Sequence, residues 1–261
     1  MSLILFALAL ACDPFASDNY ATAGDTGGDG GGDGGGDGGG DGGTTPAEAI
    51  YPDGDRVLLY FGHGGLPPQS TGEASFTQVE ARWEALGYNL HHKDELPDDL
   101  GVYRLIGLVA PGSTGEASFS ADEVAALEAA RAQGTRLAVL GDPAMCADEG
   151  VAALLAALGT DAGFEGDAFD ENQVVTTSDL AQDQQPTAGV GTLRFRDPCV
   201  ALVGRGAVLA RDADGTALAS VHRPADGGDI VILGDLELLD DGYLDREDNA
   251  LLADNLARVT P

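Results

Sequence analysis

Five histidine and acidic residues stand where a sheet could deliver reactive side chains. The histidines come after two predicted strands, two of the acids end a Leu-Gly-Asp sequence, and the third acid follows closely; the residues are His63, His92, Asp142, Asp235 and Glu237. Imidazole and carboxylate groups together could bind a divalent metal or a polyhydroxy ligand. The alternative is that each aspartate caps the loop or helix after it and the histidines are solvated. No spacing among the five is a metal signature, so the sequence leaves the metal unknown.

Strands that alternate with helices would bring these residues to one edge of a β-sheet. Continuous apolar runs are typical of strands buried on both faces of a parallel sheet. Four such runs occur, at 57–61, 105–109, 137–140 and 230–233, and a shorter strand is predicted over 88–91. Helices between them predict an α/β fold, a doubly wound, mostly parallel sheet with helices on both faces. In such a sheet ligands bind beyond the carboxyl ends of the strands.

One heptapeptide occurs twice. Ser70–Phe76 recurs letter for letter as Ser113–Phe119, each time after a predicted strand. Each copy precedes a predicted capping box, Thr77–Glu80 in the first case and Ser120–Glu123 in the second. The repeat is either a reused helix start or a pair of matching loops on one edge of the sheet.

The stretch from 163 to 229 has a different pattern. Short apolar runs alternate with turn residues, and Asp212–Gly215 predicts a hairpin. We expect an antiparallel β extension of the main sheet, with 161–191 as a long surface excursion. Residues 55–261 are therefore predicted to form one domain.

The N-terminal residues indicate export. Nine apolar residues, Leu3–Ala11, suit the core of a signal peptide and are too few to span a bilayer. They end in Ala9-Leu10-Ala11-Cys12, which resembles the lipobox of bacterial lipoproteins. We expect 1–12 to be a lipoprotein-type signal segment with Cys12 lipidated, which would hold an exported protein in a bacterial membrane of the cell envelope. An ordinary cleaved signal or a buried apolar N-terminus is the alternative.

Residues 13–50 are predicted to be a disordered tether. Aspartates at every fourth position, from Asp25 to Asp41, interrupt an almost pure glycine tract. Glycine maximises backbone freedom and the spaced charges repel one another, so this stretch favours a flexible, extended chain.

The net charge limits the possible binding partners, and the cysteine content predicts a disulfide. With 13 Lys and Arg against 44 Asp and Glu, the formal net charge is -31, which disfavours nucleic acid as a partner. The acidity favours solubility, or else attraction of cations or a basic partner. In an exported protein the remaining even pair, Cys146 and Cys199, predicts a disulfide.

Two C-terminal segments carry a family resemblance. Gly228–Asp235 and Tyr243–Val259 resemble the C-terminal signature of the class I glutamine-amidotransferase-like domain, and Gly134–Asp142 and Ala153–Gly159 fit the same family. The closest versions are the non-catalytic ones in gliding-motility, intraflagellar-transport and exported bacterial proteins. The resemblance covers Asp55 to Val259 and implies a flavodoxin-like fold.

The resemblance also implies which reactions to expect. Catalytic members carry a nucleophilic Cys at the turn after a central strand and a His-x-Glu pair near the C-terminus. Here the matching turn is Gly141-Asp142-Pro143, Cys146 lies beyond it, and His222 is followed by Arg223 rather than by a His-x-Glu pattern. We therefore expect no amidotransferase or protease chemistry and no cofactor.

Two functions from different classes follow. The first is a tethered, non-enzymatic module that binds a protein or a small molecule. The alternative is a metal-assisted hydrolase that uses His63, Asp142 and Asp235.

Overall fold

The structure, a computed structural model, describes residues 56–67, 69, 72–115, 117–166, 169 and 172–259. The predicted signal segment 1–12, with Cys12, and the predicted tether 13–50 lie outside the described residues. Within the described ranges, no helix combines the length and the apolar character needed to cross a membrane.

The first half of the domain alternates strands with helices. Its elements are β1 (Arg56–Tyr60), α1 (Thr77–Ala85), β2 (Asn89–Lys93), β3 (Tyr103–Val109), α2 (Ala121–Ala132), β4 (Arg136–Leu140) and α3 (Glu149–Ala157). The second half contains short strands and one helix: β5 (Gly163–Glu165), β6 (Val174–Thr177), β7 (Asp179–Leu180), β8 (Leu193–Arg196), β9 (Val200–Leu202), β10 (Ala207–Arg211), β11 (Ala217–His222), β12 (Ile230–Leu233) and α4 (Asn249–Ala257).

Eight strands form the main sheet in the order β2-β1-β3-β4-β12-β11-β10-β7. The strands from β2 to β12 in that order are parallel, and β11, β10 and β7 continue the sheet in antiparallel pairing. The predicted fold class is confirmed. One detail differs: β5 with β9, and β6 with β8, form two separate antiparallel pairs rather than part of the extension.

Alternating side chains of the buried strands supply two hydrophobic cores. In β1, Val57 and Leu59 face the core beneath α1 and α4, whereas Leu58 and Tyr60 face the core beneath α2 and α3. This alternation is the period of two expected of a strand that is covered on both sides. The α1 core includes the buried Trp83, whose indole N–H donates to the carbonyl of Ala253 in α4 at 3.0 Å.

The two predicted capping boxes have different outcomes. Ser120 and Glu123 form a reciprocal capping box at the start of α2, as predicted. The box at Thr77 is wrong, because Phe76 takes the N-cap position and Thr77 is already the first helical residue. The cap of α1 comes instead from Asp241, which accepts the backbone N–H of Gln78 at 2.8 Å.

The two copies of the heptapeptide therefore have different partners. In the first copy, the Ser75 hydroxyl donates to Asp241 at 2.6 Å, and Asp241 also accepts from Thr77. In the second copy, the backbone N–H of Ala117 donates to Asp148 at the start of α3. Both copies precede a helix, but identical sequence does not give them an identical environment.

The two Leu-Gly-Asp endings pack against each other where β4 and β12 end. The N–H of Gly141 donates to the carbonyl of Leu233, and the N–H of Leu236 donates to the carbonyl of Gly141, each at 2.7 Å. A Cβ on Gly141 would lie 2.7 Å from the Gly234 carbonyl oxygen, and one on Gly234 would lie 2.3 Å from that of Cys199. Only glycine permits this approach, because the neighbouring atoms belong to the backbone and cannot rotate away.

Gly141→Ala is therefore expected to lower the free energy of unfolding by about 2 kcal/mol or more, since a methyl group must push the two strand ends apart. Chemical denaturation of the purified domain measures the change. The matched control is Gly115→Ala, where nothing lies within 4 Å of the added Cβ, and it should cost less than about 0.5 kcal/mol. Equal stability of the two variants would contradict this account of the glycine pair.

Candidate functional site

Asp142 lies at the end of β4 and caps a short 3-10 helix, Pro143–Met145. One carboxylate oxygen accepts the N–H of Ala144 at 2.9 Å. The proline at the first position and the aspartate before it explain why the chain turns here, since both favour a helix start. The side chain remains partly exposed.

A disulfide fixes the turn after β4. The sulfur atoms of Cys146 and Cys199 are 2.02 Å apart and join segments 53 residues apart in the chain. Closing a loop of that length would stabilise the folded state by roughly 4 kcal/mol in the chain-entropy view. Cys199 also donates its backbone N–H to the Gly234 carbonyl at 2.7 Å, so the disulfide, β4 and β12 are held together.

Asp235 is an internal acceptor. Its two oxygens accept the backbone N–H groups of Arg196 at 2.6 Å and Glu237 at 2.7 Å, and the residue is 1% exposed. Burial raises the pKa of this carboxyl well above its usual value, and the nearby charges of Glu237 and Asp240 raise it further. The side chain joins the end of β8 to the loop after β12, which is a structural role.

Glu237 faces Arg196 beside Asp235. Its carboxylate lies 3.4 Å from the guanidinium, which also donates to Asn172 at 2.8 Å. Burial raises the pKa of Glu237, the Arg196 charge opposes that rise, and the charges of Asp197 and Asp142 add to it. Glu237 and Asp142 are thus close enough to interact electrostatically.

Asp142 and Arg196 line a cleft of about 540 Å³ that we call the carboxyl-edge cleft. Asp235 and Glu237 lie behind it and contact Arg196. Its lining includes Asp142, Ala144, Phe169, Asn172, Arg196 and Asp197. Asn172 and Asp197 have φ angles of 63° and 47°, in the left-handed region that Asn and Asp tolerate better than most other residues. The cleft combines three charged groups with one aromatic ring, a composition that suits ligand binding.

The predicted histidines lie elsewhere. The Nε2 atom of His63 is 2.9 Å from the Glu123 carboxylate, and its ring centroid is 4.2 Å from that of Phe119. His92 lies within β2, not after it as predicted, and its Nε2 atom is 3.1 Å from Glu80.

The five candidate residues therefore lie at three separate positions in the fold. Only Asp142, Asp235 and Glu237 share one place, and the predicted cluster of His63 with Asp142 and Asp235 does not form. In the described ranges, no group of three or more His, Cys, Asp or Glu side chains is arranged to hold a metal ion.

Several lining residues of the cleft were missed by the sequence reasoning. Phe169 and Asn172 belong to the stretch interpreted as a surface excursion, and Arg196 and Asp197 end a strand of the predicted extension. They reach the cleft because β8 ends against Asp235. The only sequence signal was the acidic and amide-rich character of 161–191, which does not indicate where the stretch folds back.

Comparison with known proteins gives a family and a fold. A family model described as "Domain of unknown function (DUF4350)" matches residues 113–257. No curated protein matches the chain.

Among solved structures, the "mmIFT52 N-terminal domain" is similar with a TM-score of 0.61 and 17% identity, over 76% of this chain and 94% of that chain. The "Cytoplasmic Protein STM1381" from Salmonella typhimurium LT2 is similar with a TM-score of 0.55 and 11% identity, over 79% of this chain and 100% of that chain. At these identities the likeness shows the fold alone.

Asp240 makes the stability of the fold depend on pH. Its carboxyl accepts the N–H groups of Gly242 and Tyr243, yet burial, followed by the charge of Glu237, raises its pKa from 3.8 to about 7. Well below pH 3.8 the carboxyl is protonated in both the folded and the unfolded state and costs no stability. As the pH rises towards 7 the unfolded chain loses this proton first, so the folded state loses stability until the folded carboxyl also ionises.

Asp240→Asn is therefore expected to gain stability relative to the wild type between pH 4 and pH 7, by on the order of 1–2 kcal/mol, and to hold that gain above pH 7. Unfolding midpoints across this range measure the difference. Asp241→Asn is the control, because hydrogen bonds from Ser75 and Thr77 lower the Asp241 pKa below 3.8. Its difference from the wild type should stay constant above pH 5, and a flat profile for Asp240→Asn as well would overturn the assignment.

Proposed function

We propose that this chain, which belongs to the DUF4350 family, is a non-catalytic binding domain held at a bacterial cell envelope by a lipid on Cys12. The site would be the carboxyl-edge cleft. The domain would be a non-catalytic relative of the class I glutamine-amidotransferase-like domains that the sequence resembles.

The observation that carries the proposal is the state of Cys146. It is bonded to Cys199, so it offers no thiolate. The turn where the resemblance places a nucleophile holds Gly141 and Asp142, and the Asp142 carboxylate is engaged as a helix cap. His222 is buried in β11 and lies 3.5 Å from the Ser220 hydroxyl, and burial lowers its pKa. A metal-assisted hydrolase would need His63 beside Asp142 and Asp235, but His63 pairs with Glu123 instead.

The cleft favours a partner with a positively charged group. Among the described residues that line the cleft, Asp142 and Asp197 are acidic and Arg196 is basic, and Arg196 is itself paired with Glu237. The excess of negative charge would attract an amine or guanidinium group, and Phe169 adds an aromatic surface on which such a group can lie.

The anchor rests on the sequence. Cys12 follows nine apolar residues, and the glycine and aspartate tract that follows would hold the domain away from a membrane by several nanometres. A tether of this length would let the binding domain contact a partner that does not lie at the membrane surface.

A palmitate analogue should label the wild-type chain when a bacterium that processes lipoproteins expresses it. Cys12→Ala should remove the label and release the domain from the membrane fraction, because the thiol is the attachment point. An unlabelled wild type would refute the anchor but leave the binding domain standing.

A photoreactive amino acid at Ala144, which lines the cleft and is exposed, should give one discrete cross-linked product in cells of the organism that encodes the chain. The same amino acid at Ala129, exposed on α2, is the control and should give no product of that size. Gel electrophoresis and mass spectrometry read out both positions. Failure to cross-link at Ala144, or equal products from both positions, would overturn the cleft as the binding site.

A further inference from the structure

Arginines gather at the opposite edge of the sheet. Although the chain has only 13 Lys and Arg residues, it gathers arginines where its parallel strands begin and where α2 and α4 end: Arg56, Arg104, Arg131, Arg136, Arg223 and Arg258. This amino edge lies across the sheet from the carboxyl-edge cleft, and the proposed function does not use it.

A pocket of about 380 Å³ opens at this edge. We call it the amino-edge pocket; its lining includes Gln133, Arg136, Gln185, Arg223, Asp229 and Val259. Arg136 is the first residue of β4 and is 1% exposed, whereas the side chain of Arg223 is 45% exposed. The pocket thus has one fixed, buried guanidinium and one accessible guanidinium.

The positive charge of the pocket is only partly balanced. Asp229 is shared, since its carboxylate lies 3.1 Å from Arg136 and 3.6 Å from Arg223. Arg131, beside them at the end of α2, donates to the backbone carbonyl of Asp226 and not to a carboxylate. Two guanidinium groups, those of Arg136 and Arg223, therefore share the carboxylate of Asp229, and Arg131 adds a third positive charge at the end of α2.

Unpartnered polar atoms accompany this excess charge. Arg136 uses its Nη1 atom on the carbonyls of Asn255 and Leu256 and its Nη2 atom on Asp229, but its buried Nε atom has no hydrogen-bond partner. The Nε atom of Arg131 is also a buried donor without a partner. Buried donors without acceptors are costly and point to a missing acceptor at such a place.

We propose that the amino-edge pocket binds a small oxyanion, either a carboxylate or a phosphate group. Guanidinium groups present paired donors that match these anions, and Arg is the residue proteins use most for this purpose. Gln133 adds a side-chain amide at the rim. An anion here would neutralise the charge that Asp229 leaves unbalanced, and the volume admits a molecule of the size of citrate.

The test is calorimetric titration of the purified domain with inorganic phosphate and with citrate, at an ionic strength held constant with sodium chloride. At least one of them should bind saturably with millimolar or tighter affinity. Arg223→Gln should weaken that binding roughly tenfold or more, because it removes the accessible guanidinium while leaving the buried Arg136 in place.

Arg246→Gln is the matched control, since Arg246 is exposed on the loop after β12 at the other edge of the sheet. It should bind the anion as the wild type does. Absence of saturable binding, or equal loss in both variants, would overturn the proposal. A rise in thermal stability that grows without saturation would also count against it, because excluded salts stabilise folded proteins in that way.

Discussion

The contact between Gly141 and Gly234 is the constraint on which the site depends. The two central strands approach so closely at their carboxyl ends that a single methyl group would separate them. This approach lets Cys199 donate to the Gly234 carbonyl, and so brings Cys199 beside Cys146. It also places Asp235 beneath the end of β8, where it receives the backbone of Arg196. The cleft, the disulfide and the buried carboxyl are all consequences of one close backbone contact.

The polarity of the helices explains why the two edges differ in charge. In a doubly wound fold each helix runs against the strands, so helix N-termini gather at the carboxyl edge and helix C-termini at the amino edge. Acidic side chains cap the first kind of end, as Asp148 and Asp241 do for α3 and α1. Arginines serve the second kind, as Arg136 does for the last carbonyls of α4. Both arrangements place a side-chain charge of opposite sign beside a pole of the helix dipole, and each is expected to stabilise the fold.

The sequence predicted the sheet well because its strands are buried on both faces. The apolar runs that include Val57 and Ile230 have no polar residue to confuse the pattern, and the parallel fold follows from them. The site was less predictable. Asp142 and Glu237 could be placed at one edge, but Arg196 and Asn172 enter through an antiparallel excursion whose return path depends on tertiary contacts.

The N-terminal caps of the helices show the same difference between local and distant contacts. Ser120 and Glu123 cap α2 through residues three apart, so a local pattern was sufficient. Asp241 caps α1 from 163 residues away, and no local pattern could reveal it. Local signals predict local bonds, and the residues that join distant loops become visible only in the folded chain.

The position of β12 has a consequence for biosynthesis. This strand lies between β4 and β11 in the middle of the sheet, yet it is the last strand along the described part of the chain, and the cap of α1 follows it. A nascent chain that ends before residue 230 has an unpaired β4 edge and an uncapped first helix. The main sheet therefore cannot be completed during translation of the first 229 residues. Folding of the domain must wait until the C-terminal segment has left the ribosome.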